Sequence, residues 1–99
     1  MYTKMVTYNK NDFNDSFYEK IKNSQSWPGI YLFKYILPVK SKSLTSIKAL
    51  FSNLSPKFTI RKSSNNNYQS LTVKVEIDSA KSVVDIYAKT SSFKDVISL

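Results

Sequence analysis

Neither cysteine nor histidine occurs anywhere in the 99 residues. Their absence removes disulfide bonds, thiolate nucleophiles, imidazole bases and the usual zinc ligands in one step. No metal site and no cofactor are expected. Arginine occurs once, at Arg61, so the planar guanidinium forks that read guanine or clamp phosphate in pairs are missing. Glycine also occurs once, at Gly29. No stretch approaches the ~20 consecutive apolar residues of a membrane span, and the start lacks the apolar run and cleavage site of a signal peptide. No membrane span is expected, and a cytoplasmic location is the default.

What is present is a core. Apolar residues make up 41% of the chain and aromatic residues 14%, enough for one domain at this length. The net charge is +8, carried almost wholly by lysine. A basic chain favours polyanions such as nucleic acid or an acidic membrane surface. The accompanying wealth of serine and asparagine fits an AT-rich coding bias equally well, so the charge has two readings.

Residues 1–11 are polar with scattered aromatics and read as a tail. Asp12 is placed to cap a helix in which Phe13, Phe17 and Ile21 recur every fourth residue, a stripe read as packing against the body of the domain. Pro28 and Gly29 close that segment. Residues 1–25 are thus a tail and helix, and residues 26–99 the domain proper. Ile30 to Leu37 is a strand apolar on both faces, with Tyr31, Phe33, Tyr35 and Leu37 toward the core and Leu32, Lys34 and Ile36 on the other side. Ser43 is read as the N-cap of a second helix with Leu44, Ile47, Leu50, Phe51 and Leu54 on its apolar face. Lys57 to Lys62 alternates, Ser63 to Asn67 is a turn, and Tyr68 to Ile77 alternates again, the pattern of a hairpin. Asp78 or Ser79 caps a third helix with Ala80, Val83, Val84, Tyr87 and Ala88 inward. Phe93 to Leu99 is read as the final strand.

After the N-terminal helix the order is strand, helix, strand, strand, helix, strand, which predicts a ferredoxin-like α+β sandwich. Right-handed crossovers place two helices on one face of a four-stranded antiparallel sheet of order 4-1-3-2. The other face is left open. Alternation assigns to it Leu32, Lys34, Ile36, Thr59, Arg61, Ser70, Thr72 and Lys74. Covering part of that face is one option for the N-terminal helix. The uncovered edge strands invite pairing with a second copy, so a homodimer is expected.

Three runs carry a resemblance. Trp27 to Pro38 has an aromatic-Pro start and a Phe-Lys-aromatic strand, Arg61 to Val73 has a Ser-Ser turn followed by Tyr68 and Ser70, and Val96 to Leu99 closes the chain. Over about residues 26–99 the sequence resembles the YbeD-like bacterial family of unknown function. The resemblance implies a ferredoxin-like domain similar to ACT-like regulatory domains. The matching positions are Lys34, Ser63, Ser64, Tyr68, Ser70 and Thr72, none with an established catalytic role in the family. Asn66 stands where the family usually has glycine, and asparagine is the commonest substitute in a left-handed turn. The loop Pro38 to Ser43 lacks the glycine that an ACT-like amino-acid site uses, which counts against amino-acid sensing here.

No carboxylate pair is placed for acid–base work, and Asp12, Asp15 and Glu19 lie among lysines on a solvated helix face. An enzyme is not expected. The lead expectation is a regulatory or protein-interaction domain acting through the open sheet face and an edge, centred on Lys34, Arg61, Ser70, Thr72 and Lys74, toward an unidentified protein partner or a second copy. Lys34 is its focus, because a lysine in the middle of a central strand must reach solvent or a partner. The first alternative is a basic, non-specific nucleic-acid-binding module. It is not favoured, since the third strand presents Ser70, Thr72 and Lys74 where RNA-binding sheets present aromatics. The second is a small-anion sensor at the loop Lys40, Lys42 and Ser43, where a helix begins.

Overall fold

The computed structural model describes residues 15–99. The two longest strands, β1 (Gly29–Pro38) and β3 (Tyr68–Ile77), pair antiparallel along their whole length, from Gly29 opposite Ile77 to Pro38 opposite Tyr68. They are central because each supplies an unbroken row of core side chains. Phe33, Tyr35, Leu37, Leu71 and Val73 have no exposed surface, and Val75 and Ile77 almost none. Full burial of one such aliphatic side chain contributes about 1.5–3 kcal/mol, so this pair of strands dominates the core. β2 (Lys57–Lys62) joins the outer side of β3, and β4 (Ile97–Ser98) the outer side of β1. The sheet order is β2-β3-β1-β4, the expected 4-1-3-2 read from the other edge.

Helices α2 (Ser43–Leu50) and α3 (Ala80–Thr90) are the crossovers of the β-α-β-β-α-β order. α3 begins where Ser79 accepts a hydrogen bond from the Ser82 N–H at 3.3 Å, as a serine N-cap should. Its buried residues are Ala80, Val83, Ile86, Tyr87 and Thr90, while Val84 and Ala88 are only half-buried. Ile86 and Thr90 therefore belong to the face that the sequence pattern assigned to Val84 and Ala88. An aromatic cluster fills the space between sheet and helices. Phe33 lies 5.1 Å from Phe51 and 5.3 Å from Tyr87 between ring centroids, with Tyr31 at 4.8 Å.

Helix α1 (Asp15–Ser24) joins this layer rather than the open face. Phe17 meets Tyr87 edge to face at 5.7 Å, and Phe17, Ile21 and Trp27 pack on the core. Phe17 and Ile21 of the aromatic stripe thus do pack against the body. The proposed cap Asp12, and Phe13, lie outside the described residues.

Three boundaries differ from expectation. Ser43 is the first residue of α2 and Lys42 occupies the N-cap, making no side-chain cap bond. α2 ends at Leu50, a 3-10 turn spans Ser52–Leu54, and Leu54 is exposed rather than on the buried helix face. The last strand is two residues long instead of seven. Hydrogen bonds from the Phe93 N–H to the Thr90 carbonyl and from the Val96 N–H to the Phe93 carbonyl turn the chain before it reaches the sheet.

Candidate interaction face

Residues directly opposite in an antiparallel sheet share a face, so the register fixes the composition of the side that no helix covers among the described residues. Lys34, Thr72 and Thr59 form one row across β1, β3 and β2. Ile36, Ser70 and Arg61 form the next, with Ile97 of β4 beside Ile36. Leu32, Lys74 and Lys57 form a third, and Ile30 lies opposite Glu76. All five residues singled out in the sequence, Lys34, Arg61, Ser70, Thr72 and Lys74, therefore lie on this one face. Lys34, Arg61 and Lys74 are exposed, while Ser70 and Thr72 are half-buried in the middle of the sheet.

To the residues that alternation already assigned to this face, Leu32 among them, the register adds Ile30 and Lys57. Ile30 and Leu32 are 50% and 53% exposed, in the interior of a central strand. Together with Ile36 and Ile97 they make an apolar band along β1, interrupted by Lys34. Lys57 is the second addition: it lies directly opposite Lys74, two like charges on neighbouring strands. Such a pair is destabilising. Glu76 is the only carboxylate on the face among the described residues, against four cations. The parity of Lys57 and Glu76 was readable in sequence; the pairing of Lys57 with Lys74 needed the register.

At one corner Tyr68, 52% exposed, borders a shallow cleft of about 210 Å³ with Ile36, Arg61 and Ser70. The hairpin beneath it is tightly built. Asn66 takes φ 60°, the left-handed conformation expected where the glycine is replaced, and its N–H donates to the Ser63 carbonyl at 3.0 Å. The Asn65 side chain accepts from the Ser63 hydroxyl at 2.8 Å and from the Asn67 N–H at 3.1 Å.

The loop considered for anions is engaged by a carboxylate of the chain itself. The Ser41 hydroxyl donates to Asp95 at 2.5 Å and the Ser43 hydroxyl at 2.8 Å, while the Ser43 N–H donates to the Ser41 oxygen. These bonds hold the Asp95 carboxyl below the usual carboxylate range, Ser41 contributing most and Ser43 next. α2 has no acidic residue in its first turn, and Asp95 supplies the negative charge favoured at a helix N-terminus. Lys40 and Lys42 are exposed beside it.

A larger cleft of about 740 Å³ opens at the other end of the domain, between the end of α2 and α3, with Asp78, Asp85, Leu50, Leu54, Ile86 and the β3 end at Glu76 in its lining. Among the described residues no group of three or more carboxylates is close enough to hold a metal ion, and no helix is long and apolar enough to cross a membrane.

Fold and face together define a ferredoxin-like α+β domain with helices on one side of its sheet and a basic, partly apolar surface on the other. A family model described as "Protein of unknown function (DUF493)" matches residues 22–99, and the chain belongs to that family. No curated protein and no solved structure matches it.

Proposed function

We propose that this chain is a non-enzymatic, regulatory interaction domain that docks an acidic, partly apolar protein surface on its open sheet face. The observation that carries the proposal is Leu32, more than half exposed in the middle of a central strand and adjacent to Lys34 and Lys74. Exposed aliphatic side chains on β1 supply a dry centre for an interface, and Lys34, Lys57, Arg61 and Lys74 give it a charge that an acidic partner complements. The regulatory part of the proposal comes from the YbeD-like and ACT-like resemblance.

The test is a photo-crosslinking amino acid placed at Leu32 and, as a control, at Lys81 on the outer side of α3. A discrete adduct is expected from Leu32 only, and it should disappear when Lys34→Glu is added. The purified adduct partner should then bind the wild-type domain with an affinity that falls as salt rises. Equal crosslinking from both positions would refute the proposal.

Tyr68 favours one second reading. An exposed aromatic beside Arg61 is a single stacking platform for a nucleobase, so a basic nucleic-acid-binding module is the alternative. Filter binding at two salt concentrations separates them: no retention of RNA or DNA at low salt eliminates the alternative, whereas retention that Tyr68→Ala abolishes would replace the protein partner by a nucleic acid.

A further inference from the structure

The outer edge of β2, beside which no strand lies among the described residues, is a second surface: it shares the side chains of Lys57 and Arg61 with the sheet face but offers backbone groups that the face does not. Residues of an antiparallel strand direct their backbone groups alternately to one neighbour and to the other. The Ser63 N–H donates to the Tyr68 carbonyl at 2.8 Å, and that pair continues the register in which Arg61 faces Ser70 and Thr59 faces Thr72. Lys57, Thr59 and Arg61 therefore direct their N–H and C=O groups toward β3. Phe58, Ile60 and Lys62 direct theirs away from it, to the side on which no strand lies among the described residues. The far side of the sheet confirms the phase. It requires Lys34 to point toward β4, and the Lys34 carbonyl accepts the Leu99 N–H at 2.9 Å.

Three donors and three acceptors thus line an edge that is exposed over all but Phe58. Such a row is a template for another strand. Its charge selects which one. Lys57, Arg61 and Lys62 are half of the six residues of β2, and Lys74 lies directly behind Lys57. A second copy of β2 would bring a like set of cations to the same seam, which opposes self-pairing. An acidic strand reverses the sign. Side-chain parity adds the rest: positions opposite Phe58 and Ile60 lie on the helix side of the sheet, where Ile60 is 39% exposed.

We propose that the β2 edge accepts an extended acidic segment of a partner protein as a fifth strand. In antiparallel register, apolar residues lie opposite Phe58 and Ile60, and carboxylates lie opposite Lys57, Arg61 and Lys62. A matching sequence is Glu-Glu-Val-Thr-Val-Glu.

The test is amide hydrogen exchange by NMR on the full chain, with that peptide blocked at both ends, and with a control peptide in which lysine replaces glutamate. In the free protein the amides of Phe58, Ile60 and Lys62 exchange fast, and those of Thr59 and Arg61 slowly. The acidic peptide should slow the first three by about fivefold or more, leave the other two nearly unchanged, and lose its effect as salt rises. Ile60→Pro removes the central outward donor without touching the β3 ladder, a position where edge strands admit proline. It should keep the fold and abolish the protection. If Ile60→Pro does not fold, Arg61→Glu combined with Lys62→Glu should abolish the protection instead. No protection by the acidic peptide, equal protection by the lysine peptide, or protection of the same amides in concentrated protein without peptide would each overturn the proposal, the last in favour of a second copy. Leu32→Ser should leave this protection intact, so failure at the sheet face and failure at the edge are told apart.

Discussion

Replacing Tyr35 by Phe should stabilise the domain. Tyr35 is fully buried on the core face of β1, and its hydroxyl has no hydrogen-bond partner. The neighbouring Thr90 hydroxyl donates to the Tyr87 carbonyl at 3.1 Å, and its closeness to the Tyr35 oxygen offsets only part of the effect of burial, short of a well-formed hydrogen bond. A buried hydroxyl without a partner costs about 1–3 kcal/mol relative to its hydrated state in the unfolded chain. Phenylalanine keeps the ring and its stacking on Phe33 at 6.4 Å and loses only the oxygen, whose vacated volume costs a fraction of that. The net expectation is a gain of about 1 kcal/mol, or about 4–8 °C in Tm for a domain of this size. Urea titration at constant m-value measures it. Alkaline pH gives a second readout. Burial raises the Tyr35 pKa well above its ordinary value of 10.0, so the folded state keeps a proton that the unfolded state releases. The stability tied to that proton is complete below about pH 10 and falls as pH rises beyond it. Tyr35→Phe should flatten this alkaline decline. A loss of about 0.5 kcal/mol or more in Tyr35→Phe would refute the reasoning, because it would mean that the hydroxyl is bonded. A double-mutant cycle with Thr90→Val would then locate the partner.

Three further outcomes are expected. Gly29→Ala should destabilise by about 1–3 kcal/mol in a thermal melt, because a Cβ there would lie 2.7 Å from the Ser26 carbonyl oxygen. Lys57→Glu should raise stability by about 0.5–1 kcal/mol at low salt by converting the Lys57–Lys74 contact into an opposite-charge pair, with the gain shrinking as salt is added. The Asp95 carboxyl should titrate by NMR below the usual aspartate range and move back up in Ser41→Ala, and less so in Ser43→Ala. Since its folded pKa is depressed, whatever stability it lends is present at neutral pH and lost as pH falls through that value.

The sheet was legible in the sequence because β1 and β3 are long enough for their patterns to be unambiguous. Placing Phe33, Tyr35 and Leu37 inward put Lys34 on the open face, and clean alternation from Leu71 to Ile77 placed Ser70, Thr72 and Lys74 beside it. The order of elements then left few topologies. What failed was local. Phe93 to Leu99 has strand-like composition, yet Ser91 and Ser92 donate their hydroxyls to the Ala88 and Lys89 carbonyls and Asp95 is drawn toward Ser41 and Ser43, which uses most of the segment as a turn. Ser43 has the chemistry of an N-cap, but its hydroxyl is committed to Asp95, 52 residues away. Leu54 fits the helical period, but the helix has already ended at Leu50. In each case a tertiary hydrogen bond or an early helix end overrode a local preference. The position of α1 was likewise unreadable, because an amphipathic helix shows that it packs and not where. Lys57 opposite Lys74 depends on a register set by the turn, and single-strand patterns carry no register.

The central claim, that the open sheet face is a docking surface, is tested most directly by the affinity of the crosslinked partner for Leu32→Ser combined with Lys34→Met. Leu32 is more than half exposed in the free domain, so its burial in a complex contributes about 1 kcal/mol, and a lost charge contact at Lys34 adds a similar amount. The doubly substituted domain should melt within a few degrees of the wild type and bind at least about tenfold more weakly. Unchanged affinity in a folded variant would contradict the claim.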